Sequence, residues 1–329
     1  MSGKKANRAF LITIICYIGL CYVIGLFFPE LGSNLFLDNL MVELVILLPI
    51  LLFALFSKEK LVEFLGFHKI KIGTVLMTIL FTFLSMPVIT LLNLISQLWV
   101  DNAVVSMMDS YGIGGLPFWK LFFPVGIIAP VFEEVSSRGA YYRSYRKTGS
   151  GFKAMMLSAV VFALFHMNLN QAMYAFGMGI LAVMLVEASG SLWTSIIYHS
   201  LVNGSQTILL YFVAKTDTTS LSDQAQMVTT DYLLFAIGVY MMLTAVMLPV
   251  AWAVLVWISN HEGNNGILTK LWTIKRAKEP TANLEESVEK KKDKTITVSL
   301  VIALILCVLA MSGLLFEWVN RLIILLMTR

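Results

Sequence analysis

Apolar runs of membrane-spanning length recur along this chain, and they leave few folds open. A helix needs about 20 apolar residues to cross a bilayer. Nine stretches approach or exceed that length: 10–28, 39–57, 72–100, 118–143, 154–170, 171–188, 192–213, 232–259 and 297–327. Backbone polar groups in lipid must be satisfied within the segment, so such runs form helices. The expectation is an all-α, polytopic membrane protein with about nine transmembrane helices. The third and last runs are long enough to be tilted or broken, and Pro87 and Pro249 are expected to kink the third and eighth. Hydrophobic residues make up 58% and charged residues only 13%, against roughly 45–50% and 25% in soluble domains. That excludes a soluble enzyme, a disordered chain and a nucleic-acid binder. The first run has too long an apolar core and no small-residue cleavage site, so it reads as a retained anchor.

The connecting loops alternate in charge. Lys4, Lys5 and Arg8 precede the first run, and the next loop holds Glu30 and Asp38. Lys58, Lys60, Lys69 and Lys71 follow the second run, then Asp101 and Asp109 the third. Arg143, Arg146, Lys147 and Lys153 follow the fourth. The polar stretch 260–296 carries Lys270, Lys275, Arg276, Lys278 and a Lys290–Lys292 run. The positive-inside rule then puts the N-terminus in the cytoplasm and the C-terminus outside. Residues 260–296 read as a mobile cytoplasmic loop with a short helix at 267–276, and contact of its lysines with anionic lipid is the alternative use. Cys16, Cys21 and Cys307 all fall inside apolar runs and read as small hydrophobes, with neither a disulfide framework nor a cysteine zinc site. No internal repeat is visible.

Ionisable residues inside membrane segments are costly and mark function by default. The inventory is Glu43, Glu133, Glu134, Arg138, His166, Glu187, His199, Glu317 and Arg321. Glu134 and Arg138 are four apart and can pair on one helix face. Glu133 is rotated about 100° from Glu134 and is free for another task. His166 closes the segment Phe162-Ala163-Leu164-Phe165-His166, and His199 and Asn203 again lie four apart. Measured from the cytoplasmic ends of their runs, at Arg143, Ala154 and Leu192, Glu133, His166 and His199 lie roughly 15, 18 and 11 Å deep at 1.5 Å per residue. The three groups thus share a depth nearer the cytoplasmic side. Glu43, Glu187 and the Glu317/Arg321 pair lack such support. The last reads as structural, and Glu187 as reaching solvent at the cytoplasmic end. Gly177 and Gly179 are expected to allow close helix contact. Met155, Met156, Met167, Met173 and Met178 read as packing, not metal ligands.

The series Glu-Glu-x-x-x-Arg, Phe-x-x-x-His and His-x-x-x-Asn resembles the CPBP family, which includes the type II CAAX prenyl endopeptidases and bacterial Abi-type proteins. The resemblance covers about 118–212. It extends to Gly139 after the first motif, to Gly190-Ser191-Leu192-Trp193 before the last, and to Gln171 through Gly179 between them. It implies three units: N-terminal transmembrane helices over 1–117, a catalytic core with a CAAX-protease-like helical fold over 118–213, and C-terminal helices over 214–329 with the 260–296 loop. It also implies catalytic roles. Glu133 would activate water with help from His166, His199 and Asn203 would stabilise the oxyanion, and Glu134 and Arg138 would orient the site. Amide hydrolysis needs such an activated water and such donors.

No cofactor is expected. Zinc on Glu133, His166 and His199 is the alternative, since two His and one Glu form a known catalytic set, but no His-Glu-x-x-His helix is present.

The resulting expectation is an intramembrane endopeptidase acting on a hydrophobic or prenylated, membrane-associated peptide. Its site would open to the cytoplasm of a bacterial plasma membrane. Two other readings stay open. A non-catalytic scaffold or regulator on the same fold would serve bacteriocin immunity or a membrane-protein partner such as a sensor kinase. A transporter would require inverted repeats.

Overall fold

Small polar residues set where the helices begin. Ser2, Asn34, Ser150, Asn168, Thr229 and Thr297 each accept the backbone N–H three residues on and start a helix. Each such cap contributes about 1 kcal/mol. The computed structural model describes residues 1–56, 60–148, 150–216, 223, 227–272 and 295–327. Ten main helices result: α1 (Gly3–Phe27), α2 (Leu35–Leu55), α3 (Ile72–Ser96), α4 (118–146), α5 (Gly151–Phe165), α6 (Leu169–Ser189), α7 (Leu192–Thr216), α8 (Thr230–His261), α9 (Val298–Met311) and α10 (Leu314–Met327). Short helices at Leu61–Leu65, Ala103–Ser110 and Ile267–Leu271 join them. No strand occurs among the described residues.

Five of these helices, α1, α2, α3, α6 and α8, are long and apolar enough to cross a membrane. The run 297–327 breaks at Ser312–Gly313 into α9 and α10, which meet at 84°. Gly313 adopts a left-handed φ of 77°, which ends α9. Pro87 and Pro249 lie within uninterrupted helices. The expected span at 154–170 differs most. Its helix, α5, stops at Phe165 after 15 residues, about 22 Å of rise and too short to cross. Asn168 caps α6, and the chain turns at 166–168 with Met167 at a φ of 51°. The expected short helix at 267–276 is seen as Ile267–Leu271, and residues 273–294, with most of the basic loop, lie outside the described residues.

The central element is α4. Arg138, Tyr141, Tyr142 and Tyr145 are fully buried on it, and α2, α5 and α7 pack around it. It is not a regular helix. Two π-helical stretches, Phe123–Ile128 and Val135–Tyr142, flank the α-helical Ala129–Glu134. Wide turns of this kind gather at functional sites. Gly179 brings α6 against α5, where an added Cβ would sit 2.9 Å from Ala159 Cα. Outward faces stay apolar, as at Phe235 and Val246, each 70% exposed, which suits contact with lipid. Cys16 is exposed on such a face rather than buried.

The two ends of the bundle differ. At one end Asn7 bonds Thr297 and the hydroxyl of Tyr145, Lys71 meets the Glu262 carboxylate, and Lys147 lies over Phe64. Glu187 sits at this end too. It accepts from Tyr142 (2.6 Å) and pairs with Arg146 (3.3 Å), so it is held by the protein and not simply solvated. At the other end Tyr111 donates to Asp38 at 2.5 Å, and Asn170 binds Asn93, Ser96 and the Ala103 N–H. Burial and the Asp38 carboxylate both push the Tyr111 phenol well above its usual range. A small apolar cluster of Leu35, Met108, Ile113 and Leu121 closes that end.

Candidate active site

The sequence motifs meet where α4, α5 and α7 cross. Glu134 and Arg138, one turn apart on α4, form a fully buried ion pair at 2.8 Å. The same Glu134 oxygen lies 2.9 Å from Nδ1 of His199. A carboxylate only accepts, so that imidazole nitrogen carries the proton. Nε2 of His199 then faces Glu133, 3.9 Å from its Oε2. With Nδ1–H committed to Glu134, Nε2 can donate only from the doubly protonated ring.

His166 caps the C-terminus of α5, and its Nδ1 donates to the Phe162 carbonyl at 3.1 Å. Nε2 is left as the nitrogen able to accept a proton. Phe162 organises the three polar helices. Its ring stands edge-on to His166 (centroids 5.1 Å apart) and His199 (5.6 Å), and the Arg138 guanidinium lies 4.1 Å above its centroid. Such a desolvated cation–π contact is worth about 2 kcal/mol. Phe162 entered the sequence reading only as a motif letter, with no role attached.

Asn203 donates its side-chain amide to the Val125 carbonyl at 3.3 Å. The local helix explains why that carbonyl is available. The Ala129 N–H bonds Pro124 in a five-residue step. The next step would run from residue 130 to Val125, and Pro130 has no N–H to give. A proline on α4 thereby hands a carbonyl to α7 and fixes how the Asn203 amide is turned.

Glu133, His166, His199 and Asn203 line one cavity of about 200 Å³, while Glu134 and Arg138 are sealed behind it with no exposure. The structure thus brings all six predicted residues together and separates them into a lining group and a buried supporting group. Two expectations change. Glu43, set aside in the sequence, reaches the same cavity from α2, is 3% exposed, and its carboxyl faces that of Glu133. The signal was present: Glu43 stands eight residues into α2, about 12 Å deep, but nothing in one sequence tells which helix lies opposite. The cavity also leads toward Leu35, Asp38 and Tyr111, the end away from the basic residues and not toward them. Glu317 and Arg321 lie elsewhere, in a groove at the α9–α10 bend.

Among the described residues no group of three or more His, Cys, Asp or Glu side chains is placed to hold a metal ion. The arrangement offers a carboxylate and an imidazole able to take protons, beside a carboxamide able to donate and an imidazole that donates once doubly protonated.

Residues 115–205 match the family model of Rce1-like type II CAAX prenyl endopeptidases. The match takes in a little over a quarter of the chain and contains all six motif residues, leaving α1–α3 and α8–α10 outside it. No curated protein and no solved structure matches the chain.

Proposed function

We propose, from the match of residues 115–205 to the Rce1-like family model and from the membrane-length apolar helices, that the chain is an endopeptidase that hydrolyses a peptide bond within the bilayer. The single observation that carries this reading is the shared cavity. Four polar side chains from α4, α5 and α7 line it, and a buried Arg138–Glu134 pair holds one of them by hydrogen bond.

In the proposed reaction Glu133 takes a proton from water as the water oxygen attacks the scissile carbonyl carbon. His166 Nε2 orients that water. The carbonyl oxygen becomes an oxyanion, met by the Asn203 amide and by the Nε2–H of a doubly protonated His199. Glu133 then returns the proton to the leaving nitrogen, the C–N bond breaks, and a carboxylic acid and an amine depart. The scheme uses water and these side chains alone. A positioned base contributes about 10²–10⁴-fold, and each preorganised oxyanion donor about 10²–10³-fold.

The substrate class is a hydrophobic, membrane-associated peptide, and the setting is a bacterial plasma membrane with the N-terminus cytoplasmic. Purified protein tested on a hydrophobic peptide library, beside Glu133→Ala and His199→Ala, decides the matter. Cleavage by the wild type that falls at least a hundredfold in both variants supports the reading. Equal cleavage by all three overturns it. A cellular phenotype that survives Glu133→Ala would assign the chain a scaffold role instead.

A further inference from the structure

The cavity that holds Glu133 has a direction. From Glu133, His166 and His199 its walls run to Leu35 and Asp38 on the first turn of α2, and to Met107, Met108 and Tyr111 at the Ala103–Ser110 helix. A second cavity of about 310 Å³ shares Met107, Met108, Gln171 and Asn203 with the first and is also lined by Asn93 and Asn102. The lysines and arginines that orient the chain gather at the opposite end, where Lys71, Arg146 and Lys147 make their contacts. Basic loops face the cytoplasm. Under that orientation both cavities lead to the extracytoplasmic face.

The lining is rich in carboxyl groups. It carries three carboxyl groups, Asp38, Glu43 and Glu133, two imidazoles, and no lysine or arginine. Glu43 is almost wholly buried, and its Oε2 has no hydrogen-bond partner. Oε2 of Glu133 has none outside this pair, and the two carboxyl groups sit close enough to share a proton. Arg138, the cation nearest the site, is committed to Glu134. Two neighbouring carboxyl groups away from bulk water hold a proton between them, and a cation that takes that proton's place is held strongly.

We propose, resting on the peptidase reading above, that the substrate is a peptide segment entering from the extracytoplasmic face between α2 and the Ala103–Ser110 helix, and that it presents a lysine or arginine side chain to Glu43. The unmatched N-terminal helices then supply specificity to a catalytic segment that lacks it. Apolar walls at Leu35, Val42 and Ile46 take the rest of the segment.

Two measurements test this. In a background with Cys16, Cys21 and Cys307 replaced by alanine, Met107→Cys is expected to react with a membrane-impermeant maleimide in intact cells, and Lys69→Cys only after permeabilisation. The reverse pattern overturns the route. In detergent, an apolar peptide series carrying one lysine, norleucine or glutamate at each position is expected to be cleaved best with lysine at one fixed position. Glu43→Gln should lower the lysine-to-norleucine ratio of kcat/KM about tenfold or more, and Glu43→Asp should keep it. An absent lysine preference, or a ratio unmoved in Glu43→Gln, overturns this inference and leaves the peptidase reading standing. A wild type that cleaves none of the series, matching Glu133→Ala, overturns both.

Discussion

Asn203 on α7 donates to the Val125 carbonyl on α4, a group that Pro130 leaves without its helical partner. The bond fixes the amide, so one N–H faces α4 and the other is free for substrate. Asn203→Ala is expected to lower kcat by about 10²–10³ with little change in KM, as for loss of an oxyanion donor. Pro130→Ala restores an N–H that competes for Val125, and a smaller, severalfold loss in kcat is expected. Steady-state kinetics on one cleaved peptide check both. A larger change in KM than in kcat would place Asn203 in substrate binding instead.

The Arg138–Glu134 pair is buried without exposure, and breaking such a pair costs about 3–5 kcal/mol because one charge stays behind unpaired. Arg138→Met alone should therefore lower the thermal midpoint in detergent sharply. Arg138→Met with Glu134→Gln should recover much of that stability and none of the activity, because the His199 Nδ1–H has lost its carboxylate. Recovery of activity in the double variant would show that the pair serves the fold alone.

Phe162 touches Arg138, His166 and His199 with one ring. Phe162→Leu keeps an apolar side chain and removes the π-face. A loss of about 2 kcal/mol in unfolding free energy is expected from the cation–π contact. The accompanying fall in kcat should exceed that of a remote core variant matched for stability. Thermal unfolding and kinetics on the two variants separate the effects.

Much of this site could be read without coordinates because helical spacing is rigid. Glu134 and Arg138, and His199 and Asn203, lie one turn apart, so each pair shares a face wherever its helix goes. The end of α5 was not legible. The apolar run continues through His166 to α6 without a charge, glycine or proline to mark the turn, and the turn depends on Asn168 capping α6 and on Met167 accepting a positive φ. Glu43 was passed over for a different reason. Its depth could be counted along α2, but its neighbour Glu133 lies on another helix, and only packing brings two such helices together.

The two glycines of α6 differ in what they protect. A Cβ at Gly177 would meet only the side chain of Leu92, chiefly its terminal methyl, which can clear by changing rotamer. A Cβ at Gly179 would meet backbone, Ala159 Cα at 2.9 Å, and would lie 3.5 Å from Nη2 of Arg138. Gly179→Ala is therefore expected to push α6 away from α5 and cost about 1–3 kcal/mol, the usual range for overpacking, with a fall in kcat as Arg138 shifts. Gly177→Ala should stay near wild type in both. Equal penalties at the two positions would mean that α5 and α6 are held apart already, and that the Arg138 environment is not set by this contact.

Chelation separates the two chemistries open to Glu133. In the proposed reaction it acts as a base, with both histidine Nδ1 atoms occupied by protein acceptors and Glu43 facing it. Purified protein dialysed against EDTA is expected to keep its peptide cleavage within about twofold, and elemental analysis should return less than about one tenth of an equivalent of zinc, well below the occupancy of a catalytic zinc site. Loss of cleavage on chelation, restored by one equivalent of zinc, would make Glu133, His166 and His199 ligands and would move the task of activating water from the carboxylate to the metal.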